Sequence, residues 1–534
     1  MTEQPTSTLL NPVSYLDQAY GHFAELINAH AVNQPERVAL DDSKEKLSWY
    51  EATAFINRIA AQLQADGLKK GQAVTILGST SVRYALAYLG AIVAGGCAAP
   101  LTTSATPRQL SAMMRDSGAD HLFIDSLKRQ ELIDSGIEMP PMKHIMLDSP
   151  IGSPLDQKSD TAPLMFDWMA SDGALPVNPD VGESDPFNII YSSGTTGTPK
   201  GIVHSRLMRW RQMAIGEAGG YGKPGQVTLF STPLYSNTTL AMFLTTLAYG
   251  GTSILMPKFD CQAWLELAQE HRVSHTMLVP VQYQRLMDFE HFDDYDIDSL
   301  KVKNCTSAPF SAELKAEVLR RMPGGLMEIY SMTEGGVVCL LLAHRHPDKL
   351  HTVGVAWRGS EVITIDENLK RLPVGEMGEL VGRSQTMMTG YQNQPEKTKE
   401  ATWYDENGER WQRMGDIGRV DEDGFITLMG RSKDMIISGG FNIYPRDLEE
   451  ALMKQKGVAD AAVIGVPSRQ WGETPLGFVV AELGVQLDLE ALREEANADL
   501  GKTQRLTELR LINELPRSHI GKILKTELRD KAKI

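Results

Sequence analysis

Cysteine is scarce in this chain of 534 residues: Cys97, Cys261, Cys305 and Cys339 are its four, far apart and without a Cys-x-x-Cys pair. That spacing excludes a zinc knuckle and a disulfide framework, and predicts reduced thiols in a core. Positive charge is also short, 53 Lys+Arg against 68 Asp+Glu for a formal charge of −15, which argues against a general nucleic-acid binder. An anionic ligand must therefore meet locally gathered cations. Residues 501–534 gather some, with nine Lys/Arg against four Asp/Glu, most of them expected on a solvated helical face. The first residues, Met-Thr-Glu-Gln-Pro-Thr-Ser-Thr, lack the basic start and apolar segment of a signal peptide, so a cytoplasmic location is expected. No uninterrupted apolar run reaches membrane length. The nearest, 84–101, is divided by Gly90, Gly95, Gly96 and Pro100 into a buried helix and a short strand, so no membrane span is expected. No fixed-period repeat is present, which excludes a solenoid.

What is there is an ordinary globular composition, 42% hydrophobic and 23% charged, over a length that calls for two to four domains or subdomains. Apolar periodicity predicts a helix over 15–36, ended by Pro35. Ser48 and Glu51 form the capping box of a second helix. Strands and helices then alternate to about residue 306, the signature of an α/β fold with largely parallel sheets. The stretch 148–185, rich in Asp, Pro, Ser and Gly, reads as a surface connection. From 353 to 428 shorter strands separated by turn residues predict an antiparallel, barrel-like subdomain. Residues from about 433 onward are numerous enough for a small domain of their own.

The most informative stretch is 191–201, Tyr-Ser-Ser-Gly-Thr-Thr-Gly-Thr-Pro-Lys-Gly, which follows an apolar strand at 187–190. Ser192, Ser193, Thr195, Thr196 and Thr198 offer five hydroxyls. Gly194, Gly197 and Gly201 let backbone N–H groups turn toward an anion, and Lys200 adds a full positive charge. Such a loop suits a polyphosphate. It is not a Walker A sequence, because no Gly-Lys-Ser/Thr opens a helix. A flexible linker of the same composition would rarely follow a buried strand.

This loop resembles the signature of the adenylate-forming (ANL) superfamily, in its acyl- and aryl-CoA ligase branch, and further segments match in the family's order from about residue 20 to the end. The resemblance implies an α/β fold: a large N-terminal domain, 1–430, with two α/β sheets and the barrel-like subdomain, then a hinge at 431–433 and a small mobile α+β domain at 434–534. Ser307-Ala308-Pro309 resembles the adenine-binding segment, with Tyr330 stacking on the base. In Tyr-Ser-Met-Thr-Glu at 330–334, Ser331 stands where the family usually has Gly; Thr333 would bond the α-phosphate and Glu334 would hold Mg²⁺. Asp416 matches the residue that accepts the ribose hydroxyls, Arg431 a nucleotide contact and Lys433 the hinge residue. In Ser-Gly-Gly-Phe-Asn-Ile-Tyr-Pro at 438–445, Gly439 and Gly440 would border the pantetheine channel and Asn442 would face the phosphate. Lys258 is similar to a CoA-contacting lysine, and Lys522, in Pro-Arg-Ser-His-Ile-Gly-Lys at 516–522, to the catalytic lysine. Taken singly, these residues have plainer readings: a surface charge for Glu334, a turn aspartate for Asp416, a solvated tail lysine for Lys522.

The implied reaction uses ATP, Mg²⁺ and CoA. A carboxylate attacks the α-phosphorus and pyrophosphate leaves; the acyl group then passes to the thiol. Tyr235, Ser236, Thr238, Gly335 and Gly336 are the expected acid pocket. Ser236 stands where amino-acid-activating relatives carry Asp, and an unpaired buried ammonium is costly, so an apolar monocarboxylic acid is expected, aryl, arylalkanoic or medium to long chain. Two other readings stay open: an adenylation enzyme that loads an acyl carrier protein, and a non-catalytic nucleotide-binding relative. The partners expected are small molecules and no nucleic acid, and a homodimer is compatible with the sequence.

Overall fold

The computed structural model describes residues 10–148, 162–192, 200–222, 225–438, 441–469, 471–498, 500, 505–518 and 521–533; the side chains of Ser192, Ala218, Phe441 and Asn442 are outside the description. Two large sheets make the bulk of the fold. In the nine-stranded one, the strands Val38–Asp41, Thr252–Leu255, Val227–Phe230, His275–Leu278, Val302–Cys305 and Gly325–Met332 lie side by side and parallel, and antiparallel strands close both edges. In the seven-stranded one, Cys97–Pro100, Ala73–Leu77, His121–Ile124 and Lys143–Met146 run parallel, with Pro186–Ser192 and Lys200–Ser205 as an antiparallel pair beside them. A five-stranded antiparallel sheet follows over 360–431, and a fourth sheet lies within the strands from Ile436–Ser438 to Glu508–Leu511. This is the expected α/β class: a large N-terminal part with two α/β sheets and a barrel-like subdomain, followed by a small α+β part.

Local sequence explains much of this. The helix Trp49–Ala65 starts at the capping box, where Ser48 Oγ accepts from Glu51 N at 3.3 Å and Glu51 Oε2 accepts from Ser48 N at 2.9 Å. The apolar stretch near 84–101 is a helix, Val82–Val93, inside the protein, followed by the strand Cys97–Pro100. Gly90 lets that helix meet Trp49–Ala65 closely, since a Cβ there would stand 2.4 Å from Ile59 Cγ2. Among the described residues, no helix is long and apolar enough to cross a membrane.

Two boundaries differ from the sequence reading. The single helix expected over 15–36 is two, Pro12–Leu16 and Phe23–Asn33, because the chain bends around the Trp210 ring at Gly21, where a Cβ would lie 2.6 Å from Trp210 Cη2. From the sequence a helix is also expected over 206–217, and it ends at Ala214 and tightens into a 3₁₀ turn, Ile215–Gly219. Cys97, Cys305 and Cys339 are buried, Cys261 is half-buried, and all four are free thiols.

Candidate active site

Parallel sheets offer ligands a crevice at the carboxyl ends of their strands. Several of the sequence-derived candidates stand there on the nine-stranded sheet. Tyr235, Ser236 and Thr238 follow the strand Val227–Phe230, Lys258 follows Thr252–Leu255, Ser307 follows Val302–Cys305, and Thr333 and Glu334 follow Gly325–Met332. Thr238 Oγ1 and Ser307 Oγ are 2.6 Å apart, which joins the expected acid pocket to the expected adenine segment. Ser307 holds a φ of 83°, a left-handed conformation that costs a serine of order 1–3 kcal/mol and is typical of binding turns. Ala308 is half-buried beside it and Pro309 is exposed. Ser236 is buried and precedes the helix Asn237–Ala248; burial raises the Tyr235 phenol, while Thr102 and Thr103 hydrogen-bond it and lower it. Lys258 is exposed.

A second group surrounds Asp416. Tyr330 Oη donates to Asp416 Oδ2 at 2.7 Å, and Arg431 Nε stands 2.7 Å from Asp416 Oδ1. Asp416 and Arg431 are cross-strand partners, so register sets this ion pair. Burial raises the Asp416 carboxyl above its ordinary range, while Arg431, Tyr330 and Lys522 pull it back. Burial and then the Asp416 charge push the Tyr330 phenol well up.

The loop bearing Lys522 reaches this group from the small domain. Its turn is self-supported: Ser518 N donates to Lys522 O at 2.8 Å, Lys522 N to Ser518 Oγ at 3.2 Å, and Arg517 Nη1 to Gly521 O at 2.8 Å. Gly521 has a φ of 76° and rests on Val281, whose Cγ1 would be 3.0 Å from an added Cβ. Lys522 keeps solvent access but stands in a crowded cleft. Its ammonium is lowered by burial first and then by Arg431 and Lys433, with Asp416 and Asp434 acting the other way. Lys433 itself is exposed, in the 3₁₀ turn Ser432–Asp434.

A third group was not foreseen. Lys200, register partner of Ser192, places its ammonium 5.1 Å from the centre of the Tyr391 ring, and Tyr391 Oη donates to Glu334 Oε1 at 2.8 Å. Tyr391 thus joins the loop lysine to the expected metal carboxylate. No motif marks it in the sequence; its position follows from the two-residue strand Gly390–Tyr391 pairing with Lys200–Ser205. Gly335 and Gly336 have φ of 80° and 92°, and the space where their Cβ atoms would stand is filled by Thr386 O at 1.9 Å and Met414 Sδ at 2.8 Å. Close approach of the barrel-like sheet therefore accounts for both glycines.

Ser193, Gly194, Thr195, Thr196, Gly197, Gly439 and Gly440 lie outside the described residues, as do the side chains of Ser192 and Asn442. Ile437 and Trp471 are 52% and 50% exposed.

With this geometry in place, the chain matches the AMP-binding enzyme family over residues 27–392 and the AMP-binding enzyme C-terminal domain over 447–522. It is 28% identical to the long-chain-fatty-acid–CoA ligase of Bacillus subtilis (strain 168), across 94% of this chain and 93% of that one. It is 31% identical to a feruloyl-CoA synthase of an Amycolatopsis species, across 93% and 96%. Its fold superimposes on ATP-bound MatB from Rhodopseudomonas palustris with a TM-score of 0.83 and 27% identity, across 96% of this chain and 99% of that one. The chain belongs to the AMP-binding enzymes of the adenylate-forming superfamily.

Proposed function

We propose that the protein is an AMP-forming acid–thiol ligase that activates an apolar monocarboxylic acid with ATP and passes it to CoA. The observation that carries this reading is the approach of Lys522, from the small domain, to Asp416 and Arg431 of the large one. The names of the two curated relatives, which act on a fatty acid and on an aryl acid, support the substrate class.

In the first half, the acid is already ionised, because such carboxyls titrate near pKa 4 to 5. One of its oxygens attacks the α-phosphorus, the bond to the β-phosphate bridge breaks, and pyrophosphate departs with that electron pair. No general base is needed. The barrier is two anions approaching while charge builds on phosphate oxygens, so positioned cations dominate the catalysis. Lys522 would neutralise the α-phosphate, Thr333 would hydrogen-bond it, and Lys200 with the 192–198 hydroxyls would hold the leaving phosphates. Asp416 would take the ribose hydroxyls, Tyr330 and the 307–309 turn the adenine.

Mg²⁺ fits the residues present. The Glu334 carboxylate is half-buried, with one oxygen fixed by Tyr391 and the other without a partner among the described residues. No cluster of three metal-ligating side chains exists among the described residues. That suits a cation held by one carboxylate plus phosphate oxygens. When bound it supplies charge neutralisation to the departing pyrophosphate.

In the second half, the CoA sulfur attacks the acyl carbon, AMP leaves with the electron pair, and the thiol proton goes to solvent. We assign residues 434–534 to a unit that turns about 431–433 between the halves, replacing the Lys522 loop by the 438–441 hairpin. Lys258 would then meet the CoA. The test is a panel of aryl and fatty acids with two readouts, acid-dependent pyrophosphate exchange and CoA-dependent AMP release. Both are expected. Exchange without CoA consumption would instead favour a carrier-protein acceptor, and no acid-dependent pyrophosphate release from any acid would overturn the reading.

A further inference from the structure

Three fully buried polar side chains lie between the strand Lys200–Ser205, the helix Arg206–Ala214 and the start of the helix Asn237–Ala248. They are Asn188, His204 and Arg209, each 0% exposed, and none has a role in the chemistry above. A buried guanidinium costs several kcal/mol unless its donors are met. Four of the five N–H donors of Arg209 are met: Nε donates to Asn188 Oδ1 at 2.7 Å, Nη1 to Gln212 Oε1 at 2.5 Å, and Nη2 to Asn237 Oδ1 at 2.8 Å and His204 Nδ1 at 2.9 Å. Among the described residues, no carboxylate pairs with it.

The imidazole of His204 is thereby fixed in one form. A ring nitrogen that accepts from a guanidinium carries no proton, so the proton is on Nε2. That Nε2–H faces the carbonyl oxygen of Thr333 at 2.6 Å. Asn188 Nδ2 stands 3.2 Å from the same Nδ1, a second donor facing the unprotonated nitrogen. The chain of bonds therefore runs from Asn237, which opens the helix after Tyr235 and Ser236, through Arg209 and His204 to the backbone of Thr333. A site that existed only to fill the core would do as well with apolar groups of the same volume, since replacing a buried ion by them is often neutral or stabilising.

We infer that His204 and Arg209 are positioning residues that fix the Thr333 main chain against the acid-pocket helix, so that acid carboxylate and α-phosphate meet at reacting distance. The inference rests on the ligase reading above and goes further, because it concerns the adenylation half alone. A small displacement at Thr333 weakens in-line attack, whereas thiol attack on a finished acyl-adenylate does not depend on it.

The experiment compares the two halves in His204→Ala, His204→Gln and Arg209→Gln. Exchange of radiolabelled pyrophosphate is measured with decanoate or cinnamate; thioester formation is measured from chemically prepared decanoyl-AMP or cinnamoyl-AMP and CoA. In His204→Ala the kcat of exchange is expected to fall about 10- to 100-fold, with transfer from the prepared adenylate changed less than about twofold. His204→Gln, which keeps a donor for Thr333, is expected to recover part of the loss. Should His204→Ala fail to fold, His204→Gln and Arg209→Gln carry the same comparison. Equal losses in both halves, or undiminished exchange in a folded variant, would overturn the inference while the ligase reading stood. Absence of both halves in the wild type would remove the two together.

Discussion

Lys303, in the nine-stranded sheet, and Lys315, in the helix Ala312–Arg321, give their ammonium protons to protein oxygens, whereas among the described residues no protein oxygen accepts from the ammonium of Lys200 or Lys522 at the cleft. Lys303 donates to the carbonyls of Met322, Pro323 and Gly324 at 3.1, 2.6 and 2.7 Å, just past the helix Ala312–Arg321. Lys315 stands 2.5 Å from Glu328 and donates to the carbonyls of Leu350 and Thr352 at 2.7 and 3.0 Å. Lys200 has the Tyr391 ring, and the Lys522 ammonium meets no hydrogen-bond partner among the described residues. A saturated buried cation holds a fold together, while a cation with spare donors is set for a ligand.

Substitution separates the two kinds. Lys315→Met leaves Glu328 buried without its partner, in a place where burial already pushes that carboxyl up to about 7. The cost is expected at about 3–5 kcal/mol, read as a fall in thermal midpoint. Pairing it with Glu328→Leu should recover most of the loss, because the site is then apolar throughout. Lys522→Ala should leave the thermal midpoint unchanged and lower pyrophosphate exchange about 100- to 1,000-fold, with transfer from prepared acyl-adenylate retained. The comparison breaks if Lys315→Met is as stable as the wild type, or if Lys522→Ala unfolds.

Tyr391 sharpens the contrast within the cleft, since it holds one anion and faces one cation. Tyr391→Phe keeps the ring near Lys200 and removes the hydroxyl that orients Glu334. Outer partners of a metal ligand are worth 10- to 100-fold in metal affinity, so the Mg²⁺ concentration for half-maximal exchange should rise about tenfold. The KM for ATP should move less. Tyr391→Leu, which also removes the ring, should raise both.

These contrasts show where the sequence was readable. The capping box of Ser48 and Glu51 is contained in four residues, so local spacing reveals it. The strand Pro186–Ser192, the polar loop after it and the crevice residues Ser307, Thr333 and Glu334 are likewise short patterns in a fixed order. The break between Leu16 and Phe23 is set by Trp210, whose Nε1 donates to Gln18 O across 192 residues, and apolar periodicity carries no trace of it. Tyr391 reaches Glu334 across 57 residues from a strand of two, too short to read as a strand. His204 and Arg209 look like an ordinary strand histidine and helix arginine until packing brings them to one point. Gly335 and Gly336 read in the sequence as lining of the acid pocket, whereas the close approach of Thr386 O and Met414 to their backbone is a tertiary reason for glycine that no local pattern shows.

The smallest expected effect concerns protons at Lys522. Burial, and then the charges of Arg431 and Lys433, lower its ammonium below the ordinary lysine range of about 10.4. Catalysis needs the protonated form, so kcat/KM for ATP should decline as pH rises through the lowered value, earlier than an exposed lysine would allow. Stability has the opposite sign. Between the lowered value and 10.4 the unfolded chain binds more protons at this residue than the folded one, so its contribution to stability rises with pH in that window. Activity and stability should therefore move apart on the alkaline side, which simple alkaline unfolding would not produce. Lys522→Arg, a cation that stays charged beyond pH 12, should lose the alkaline decline while keeping a lower kcat. A decline that persists unchanged in Lys522→Arg would assign that limb to another group and put Lys522 with the saturated lysines Lys303 and Lys315.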